Sequence, residues 1–476
     1  MRANDLGILN QQLRERIVNL PVSARLFRAD PAHTNEAAQQ LKVSMTTLFG
    51  TAANPTPLCA GDNVAVYSSA RDKLPEHKAN QEIIYTLGKA LGKRELNVVT
   101  GAGPGGMEAA NKGAREVGAY SAGVGLTGLP GEQKMNEYMD AFLAIREFFI
   151  RKLAFNLASD AFVACVGGFG TGDEAMEAWN LCSKFNITSV PIVLLGKEYY
   201  GPLYEVFERM ERNDVITARE LSMLTLCSEP EEAADFVKLK IAANRGLRTK
   251  DRSYDKDLVL KLTRDMNRVG MQLCEDAPYV SVIGGNNNTD GGSEFQLNAA
   301  NRLGAFLARE GMPTLTTGLN RLTDQFNRGV LSQNGISSGF VHYPSEEGRD
   351  ASLTNPIKHK YRFTEAVTST KYGSGPKIYF EGGPAMFDSL FETLTLQQTT
   401  KVSDTSVICV GREFFGPIKQ YIEVKMRDQF KTICPHHVDL FRIVDTAEEA
   451  FELVRSEREK CIERRLEKLS ANLAYL

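Results

Sequence analysis

The sequence lacks several features that would place the protein in a specialised class. Across its 476 residues no apolar stretch approaches the roughly 20 residues needed to span a bilayer. No long lysine or arginine run occurs and the net charge is only −3, which argues against a non-specific nucleic-acid or membrane partner. Charges interrupt the apolar residues of the N-terminal segment, so we expect no secretory signal. We therefore expect a cytoplasmic protein of ordinary globular composition.

Cysteine pairs of the CxxC type are also absent. The eight cysteines are dispersed, and several, such as Cys165 and Cys409, lie in apolar runs. This distribution favours small buried thiols in a reducing compartment over a disulfide framework. His436 and His437 beside Cys434 give the only hint of zinc ligands, and an exposed loop is the simpler interpretation. We expect no metal.

The sequence does contain a long internal repeat. PIVLLGKEYYGPL, which includes Gly196, matches SVICVGREFFGPI, in which Gly411 stands 215 positions later. CVGGFGTGDEAMEAW, with Gly167, matches FEGGPAMFDSLFETL, in which Gly382 is again 215 positions away. Two further blocks match in the same order at nearly the same spacing. Because such agreement rarely arises by chance, we predict a tandem duplication.

Each copy alternates apolar runs with helical patterns. VAVYSS, NVVT, AFVACV and PIVLLG are continuous apolar runs, which is typical of parallel strands covered on both faces. The predicted fold class is α/β, with two tandem Rossmann-like, doubly wound parallel-sheet domains and an extra N-terminal helical segment. The expected boundaries are a helical extension at 1–60, a first domain at 61–245, a connection at 246–276 and a second domain with a C-terminal helix at 277–476.

Three loops of the first copy follow predicted strands, at the edge where open α/β sheets bind ligands. Glycine lets the backbone approach an anion, and a following helix directs free amides at it. A single glycine turn is usually a structural device, whereas these loops together favour phosphate. No GxxxxGK[ST] loop occurs, so ATP hydrolysis is not expected. The predicted nucleotide- or phosphate-binding residues are Ser68, Ser69 and Arg71; Gly101, Gly103, Gly105, Gly106, Met107 and Glu108; and Gly167, Gly168, Gly170 and Thr171, which is also expected to cap its helix.

The motifs resemble the LOG (Lonely Guy) family, whose members are often labelled lysine decarboxylases. The family pattern is a GGGxxGxM-type turn, an Arg-Lys pair and PGGxGTxxE. This chain has GAGPGGM, FFIRK and VGGFGTGDE, in that order, between Val64 and Val237. Val166 replaces the proline of the family pattern. The resemblance implies a LOG-type fold and hydrolysis of nucleoside 5′-monophosphates, with cytokinin riboside monophosphates among the candidates, to a free base and ribose 5-phosphate without a metal or organic cofactor.

The resemblance also implies roles for individual residues. By motif, Arg151 and Glu174 are the catalytic residues, and Lys152 joins the phosphate-binding set. A carboxylate such as Glu174 suits a reaction that builds positive charge on the ribose, and Arg151 can orient it. A surface ion pair is the plain alternative. Asp173 is expected only to favour the helix dipole. Lysine decarboxylation is not expected, because neither Lys112 nor Lys152 has a partner acid for a pyridoxal ring.

The second copy lacks this residue set. Gly170, Thr171 and Glu174 correspond in register to Ala385, Met386 and Ser389. We therefore expect a pseudo-domain that packs on the first copy as a pseudo-twofold partner and contributes side chains or a lid to a single site. Its first loop, Gly284-Gly285-Asn286-Asn287-Asn288, is interpreted as a plain turn, with binding of another ligand left open.

Three functions remain open at this point. The intact motifs of the first copy favour the hydrolase. A non-catalytic nucleotide-binding, carrier or sensor protein of the same fold is the alternative, and a scaffold that assembles through its extra helices is the third. We also expect a homo-oligomer, because LOG proteins are typically dimers.

Overall fold

The computed structural model describes most of the two repeated units. The described residues are 50–51, 54–71, 73–126, 135–145, 148–185, 190–244, 279–286, 289, 293–317, 320–342, 351–359, 375–399 and 405–457. Most of the expected helical extension, the whole connection 246–276 and the last part of the expected C-terminal helix lie outside them. No helix in the described part is long and apolar enough to cross a membrane.

The first unit forms its strands from the predicted apolar runs, and several of these strands are buried along their whole length because helices cover both faces of the sheet. Its elements are β1 Gly50–Thr51, β2 Asn54–Pro55, α1 Pro57–Ala60, β3 Asp62–Tyr67, α2 Pro75–Lys93, β4 Leu96–Thr100, α3 Gly106–Glu116, β5 Ser121–Leu126, β6 Ala141–Ile145, α4 Phe148–Ala158, β7 Ala161–Ala164, α5 Phe169–Phe185, β8 Ile192–Leu195, α6 Lys197–Arg212, α7 Ala218–Leu221, β9 Leu224–Cys227 and α8 Pro230–Asn244.

The second unit repeats this succession of strands and helices, with a π-helix at Ile422–Gln429 and a 3-10 helix at Pro435–Leu440 near its end. Its other elements are β10 Val280–Gly285, α9 Glu294–Arg309, β11 Thr314–Thr316, α10 Arg321–Leu331, β12 Ser337–His342, β13 Asn355–His359, β14 Lys377–Gly382, α11 Pro384–Gln398, β15 Val407–Val410, α12 Arg412–Tyr421 and β16 Phe441–Val444.

The two large sheets have the same topology. The first runs β6-β5-β4-β3-β7-β8-β9 and the second β13-β12-β11-β10-β14-β15-β16, and strand neighbours are parallel in both. Each strand of the first sheet therefore has a counterpart at the same place in the second. The predicted α/β class and the tandem duplication are both confirmed.

One hydrophobic cluster contains buried residues of both units. Helix α5 of the first unit packs on its counterpart α11 of the second. The ring of Phe387 lies 6.2 Å from that of Trp179 and 5.1 Å, edge to face, from that of Phe207. All three side chains are buried. Because these buried rings pack against one another across the two units, the second unit packs on the first as its partner.

Candidate active site

Three loops of the first unit meet at one edge of its sheet. Strands β4, β3 and β7 are adjacent and parallel, and their carboxyl ends point the same way. The strand order reverses at β3, because β4 continues on one side of it and β7 on the other. The crevice outside such a reversal is where open α/β sheets bind ligands. The structure therefore brings together the three loops singled out in the sequence.

The loop after β3 lies against the start of α3. The backbone N–H of Gly106 donates to the carbonyl oxygen of Ser69 at 3.0 Å, and the N–H of Arg71 donates to Ser69 Oγ at 3.1 Å. Ser68 is 8% exposed, and within the described residues its hydroxyl has no hydrogen-bond partner. An unsatisfied buried hydroxyl costs about 1–3 kcal/mol. A ligand oxygen at the start of α3 would recover that energy.

The first glycine turn depends on glycine at one position. Gly105 has φ +71°, a left-handed conformation that costs other residues strain. A Cβ there would lie 2.9 Å from the carbonyl oxygens of both Ser69 and Arg71. The carbonyl of Gly103 accepts a hydrogen bond from Asn136 Nδ2 at 3.1 Å, which holds the turn from its other side.

Arg151 and Glu174 form an ion pair beside these loops. Arg151 Nη2 lies 3.1 Å from Glu174 Oε1, and the two side chains are only 15% and 11% exposed. Arg151 Nε also donates to the carbonyl oxygen of Val124 in β5 at 3.1 Å. Burial raises the pKa of Glu174, while the charges of Arg151 and Lys152 lower it. The pair is mostly buried, so the surface-pair alternative does not fit.

Arg151 also reaches the first glycine turn. A Cβ on Gly101 would collide with Arg151 Nη2 and would lie 2.7 Å from Met107 Sδ. Met107 is buried, and Glu108 is half-buried in the first turn of α3. The absence of a side chain at Gly101 therefore lets the arginine pack against the turn, and the predicted catalytic pair and the predicted phosphate turn are neighbours.

The loop after β7 closes the crevice on its other side. A Cβ on Gly167 would collide with the hydroxyl of Thr171, and Thr171 is 4% exposed. Helix α5 begins at Phe169, so Gly170 and Thr171 are already helical and only Gly167 and Gly168 form the turn. The prediction that Thr171 caps the helix is therefore wrong, because a cap stands before the first helical residue.

Part of the chain is similar to known proteins. A protein-family model described as "Possible lysine decarboxylase" matches residues 107–237. A rice protein (Oryza sativa subsp. japonica) named "Probable cytokinin riboside 5'-monophosphate phosphoribohydrolase LOG4" is 31% identical over 150 residues, which cover 31% of this chain and 64% of that protein. The "Cytokinin riboside 5'-monophosphate phosphoribohydrolase" of Rhodococcoides fascians is 27% identical over 204 residues, covering 42% of this chain and 98% of the other.

The first unit is similar to LOG proteins over the residues that these comparisons match. We call it the LOG unit from here on. The chain spans less than two thirds of the rice relative's length. A solved structure, the molybdenum cofactor binding protein from the phototrophic bacterium Rippkaea orientalis, aligns with a TM-score of 0.30 at 20% identity, covering 38% of this chain and 96% of that one.

Lys152 of the LOG unit does not belong with the phosphate loops. It is 4% exposed, and its Nζ lies 2.7 Å from Asp173 Oδ1, 3.9 Å from Glu177 Oε2 and 3.7 Å from Glu392 Oε1 of the second unit. Burial disfavours its charge, but the carboxylates, Asp173 foremost, hold its pKa well above the usual range. The expectation of a phosphate ligand is corrected: the ammonium lies among carboxylates at the junction of the two units.

Two acid pairs face each other across that junction. Asp173 and Glu177 of α5 stand 215 positions before Asp388 and Glu392 of α11, and all four are buried. Asn180 Nδ2 donates to Asp388 Oδ2 at 2.6 Å. Burial raises the pKa of Asp173 and of Glu177 well above the usual range. Asp173 is therefore an interface residue, and the expectation that it only favours the helix dipole is wrong.

Sequence reasoning missed this cluster although the repeat held the signal. Asp173 and Glu177 keep their identities in the second copy, whereas Glu174 between them becomes Ser389. The acids present in both copies lie at the junction of the two units, whereas Glu174 pairs with Arg151 inside the first unit. Ser389 Oγ lies 3.2 Å from the hydroxyl of Tyr379, inside the second unit.

The residues around Cys434 also differ from expectation. They form a 3-10 helix, and His437 is 8% exposed rather than part of an exposed loop. Burial, followed by the nearby charges of His436 and Arg71, lowers the pKa of His437 to about 4. No group of three or more His, Cys, Asp or Glu side chains suited to a metal occurs in the described residues. Cys165 is buried and free, as predicted.

Proposed function

We propose that the LOG unit hydrolyses the N-glycosidic bond of nucleoside 5′-monophosphates to a free base and ribose 5-phosphate. The observation that carries the proposal is the buried Arg151–Glu174 ion pair, which adjoins the glycine turn at the start of α3. The names of the rice and Rhodococcoides relatives support the reaction class and make cytokinin riboside 5′-monophosphates candidate substrates.

Glu174 is suited to the sugar end of this reaction. Breaking the bond between C1′ and the base nitrogen leaves positive charge on the ribose, and the carboxylate stabilises it while accepting a proton from the attacking water. Because the Glu174 side chain is only 11% exposed, the attraction between its carboxylate and the positive ribose is stronger than it would be in bulk water. Burial raises the pKa of the Glu174 carboxyl and the charge of Arg151 lowers it. Arg151 also fixes the direction of the carboxylate, because its guanidinium donates to the carbonyl oxygen of Val124.

The phosphate end is assigned to the start of α3. The first-turn amides of a helix and its positive dipole end attract an anion, and Ser68 adds a hydroxyl that is otherwise unsatisfied. Arg71 stands in the same loop and forms no ion pair within the described residues. Phosphate binding here supplies energy far from the reacting bond, which positions C1′ against Glu174.

We assign one active site to each chain. The second unit has Ser389, Met386 and Ala385 in the places of Glu174, Thr171 and Gly170. A hydroxyl carries no negative charge to stabilise an oxocarbenium ion, and Met386 is buried. The second unit therefore acts as a partner of the LOG unit in this proposal.

The test is incubation of the full chain with AMP, GMP, CMP, UMP and a cytokinin riboside 5′-monophosphate. Free base and ribose 5-phosphate are measured by chromatography. We expect stoichiometric release of both from at least one substrate, and a much slower reaction with the matching riboside, which lacks the phosphate. Folded protein that releases base from none of them contradicts the proposal.

The same experiment tests the alternative, a non-catalytic nucleotide-binding or carrier protein. A nucleotide that raises the melting temperature while no base appears would favour that function. A cytoplasmic location and a homo-oligomer remain predictions. The buried free thiols Cys165, Cys227 and Cys409 fit a reducing compartment, and light scattering measures the oligomeric state.

A further inference from the structure

One segment of the second unit covers the candidate site of the LOG unit. We call Lys431–His437 the closing segment. Arg71 Nη2 donates to Cys434 Sγ at 3.2 Å, and His77 Nε2 lies 3.1 Å from the carbonyl oxygen of Lys431. Lys431 Nζ also pairs with Glu76 at 2.5 Å. The segment is thereby fastened to the loop after β3 and to the start of α2.

The closing segment also reaches the loop after β7. A Cβ on Gly168 would lie 2.8 Å from the carbonyl oxygen of Thr432. The ring of His437 lies 6.4 Å from that of Phe169, the first residue of α5. The segment therefore spans the crevice between two of the three loops of the candidate site.

A segment of the LOG unit makes the equivalent contact with the second unit. Its equivalent segment is Asp214–Glu220, and Asn286 Nδ2 donates to the carbonyl oxygen of Val215 at 3.1 Å. Thr289 Oγ1 donates to the same oxygen at 3.3 Å. Asn286 and Thr289 belong to the loop after β10, the counterpart of the loop that holds Arg71. Each unit thus covers the first loop of the other.

The two segments share backbone geometry down to single residues. Asp214 has φ 54° and Lys431 φ 49°, an unusual left-handed conformation at the same place. The N–H of Thr217 donates to Glu220 Oε2 at 2.8 Å, and the N–H of Cys434 donates to His437 Nδ1 at 3.2 Å. The two segments therefore have the same backbone conformation but different side chains, since Thr217 and Glu220 correspond to Cys434 and His437.

The two segments differ in the charge of one side chain, which is Glu220 in the first and His437 in the second. Over the second unit, the carboxylate of Glu220 accepts a hydrogen bond from Asn286 at 3.0 Å and is only 2% exposed. Over the LOG unit the same place holds His437, whose Nδ1 accepts the Cys434 N–H. Among the described residues, no carboxylate pairs with Arg71, and its guanidinium donates a hydrogen bond only to the thiol of Cys434. A thiol is a weak, uncharged acceptor and occupies one of the five guanidinium N–H donors, so Arg71 keeps its charge and its other donors for a phosphate.

We propose that Cys434, supplied by the second unit, is a positioning residue that holds the Arg71 guanidinium at the phosphate end of the LOG unit's site. The degenerate copy thereby completes the site of the intact one. Arg71 is held in one direction without being neutralised, so it is pre-organised for an anion. This inference rests on the proposed function for its kinetic test and on phosphate binding for its direct test.

The kinetic test compares C434A and C434S with T217A, which removes the equivalent side chain from the equivalent segment on the other side. We expect C434A to raise KM for the nucleoside monophosphate about three- to ten-fold, the loss of one modest hydrogen bond, with kcat within about two-fold. C434S keeps an acceptor and restores KM, and T217A leaves it unchanged. In an R71A background, C434A adds no further increase.

A calorimetric titration separates failure of this inference from failure of the proposed function. Ribose 5-phosphate and AMP are titrated into the wild-type chain and the same variants, which needs no turnover. Weaker binding in C434A, with C434S and T217A like wild type, supports the inference even if no base is ever released. Equal binding by wild type and C434A overturns it, as does a wild-type chain that binds neither ligand. A C434A variant that lowers kcat alone also overturns it.

Discussion

Arg151 Nη2 lies 3.1 Å from Glu174 Oε1, and the two side chains stand on α4 and α5, which flank strand β7 in the chain. Because the arginine is also tied to the carbonyl of Val124, removing it would leave a buried carboxylate without its main compensating charge. The pH dependence of the reaction should therefore report on this pair.

The first prediction concerns R151A. Glu174 acts as a carboxylate, so activity is lost as the pH falls through its pKa, which burial raises and Arg151 lowers. Without Arg151 the pKa rises further, and the acid limb of the kcat/KM profile moves to higher pH. We expect kcat/KM at neutral pH to fall about 10²–10³-fold, as for loss of one preorganised electrostatic contact.

The control for R151A is R115A. Arg115 is 44% exposed and its Nε lies 3.7 Å from Asp140, away from the loops of the candidate site. Its removal should leave the pH profile in place. An R151A profile whose acid limb coincides with that of wild type would show that Arg151 does not tune Glu174.

The second prediction concerns the junction of the two units. K152M removes the cation that lies among Asp173, Glu177 and Glu392. Breaking a buried ion pair from one side costs about 3–5 kcal/mol of unfolding free energy. The loss should be larger at pH 8 than at pH 5. Burial raises the folded-state pKa of Asp173 and of Glu177 above the unfolded value, so stability falls as rising pH ionises these two acids.

Urea unfolding at both pH values measures this effect. K112M is the control, because Lys112 is exposed and faces the rings of Tyr85 and Tyr138 rather than buried acids. An equal loss at pH 5 and pH 8, or an equal loss in K112M, would contradict the assignment of Lys152 to the buried cluster.

The third prediction concerns the contact between α5 and α11. A Cβ on Gly172 would lie 2.5 Å from the Phe391 ring, which is buried in the second unit. In G172A the overpacking, about 1–3 kcal/mol, should exceed the gain of about 1 kcal/mol in helix propensity. In an F391L background the same substitution should become neutral or stabilising, because the ring has gone.

Urea unfolding of the single and double variants measures the coupling, with G201A as the control. A Cβ on Gly201, inside α6, meets nothing within 4 Å, so G201A should stabilise the protein by helix propensity alone. Strictly additive effects of G172A and F391L would mean that the two helices do not meet at this place.

The strands and the duplication were predictable because each produces a pattern that can be recognised in the sequence. A run such as AFVACV is long enough to identify β7, and the spacing between Gly167 and Gly382 identifies the repeat. Much of the candidate site was predictable for the same reason, since glycine turns follow strands directly. The neighbours of Lys152 and Arg71 were not predictable. Lys152 meets Glu392 and Arg71 meets Cys434, contacts between residues more than 200 positions apart that no local pattern records.

The central claim is that Glu174 carries a single hydrolytic site in the LOG unit. The most direct measurement is the rate of base release from a nucleoside 5′-monophosphate by wild type, E174Q and S389A, with circular dichroism to verify folding. The account predicts that E174Q keeps its fold and loses activity by about 10³-fold or more, while S389A, altered at the equivalent place in the second unit, matches wild type. Base release by E174Q at the wild-type rate would contradict it.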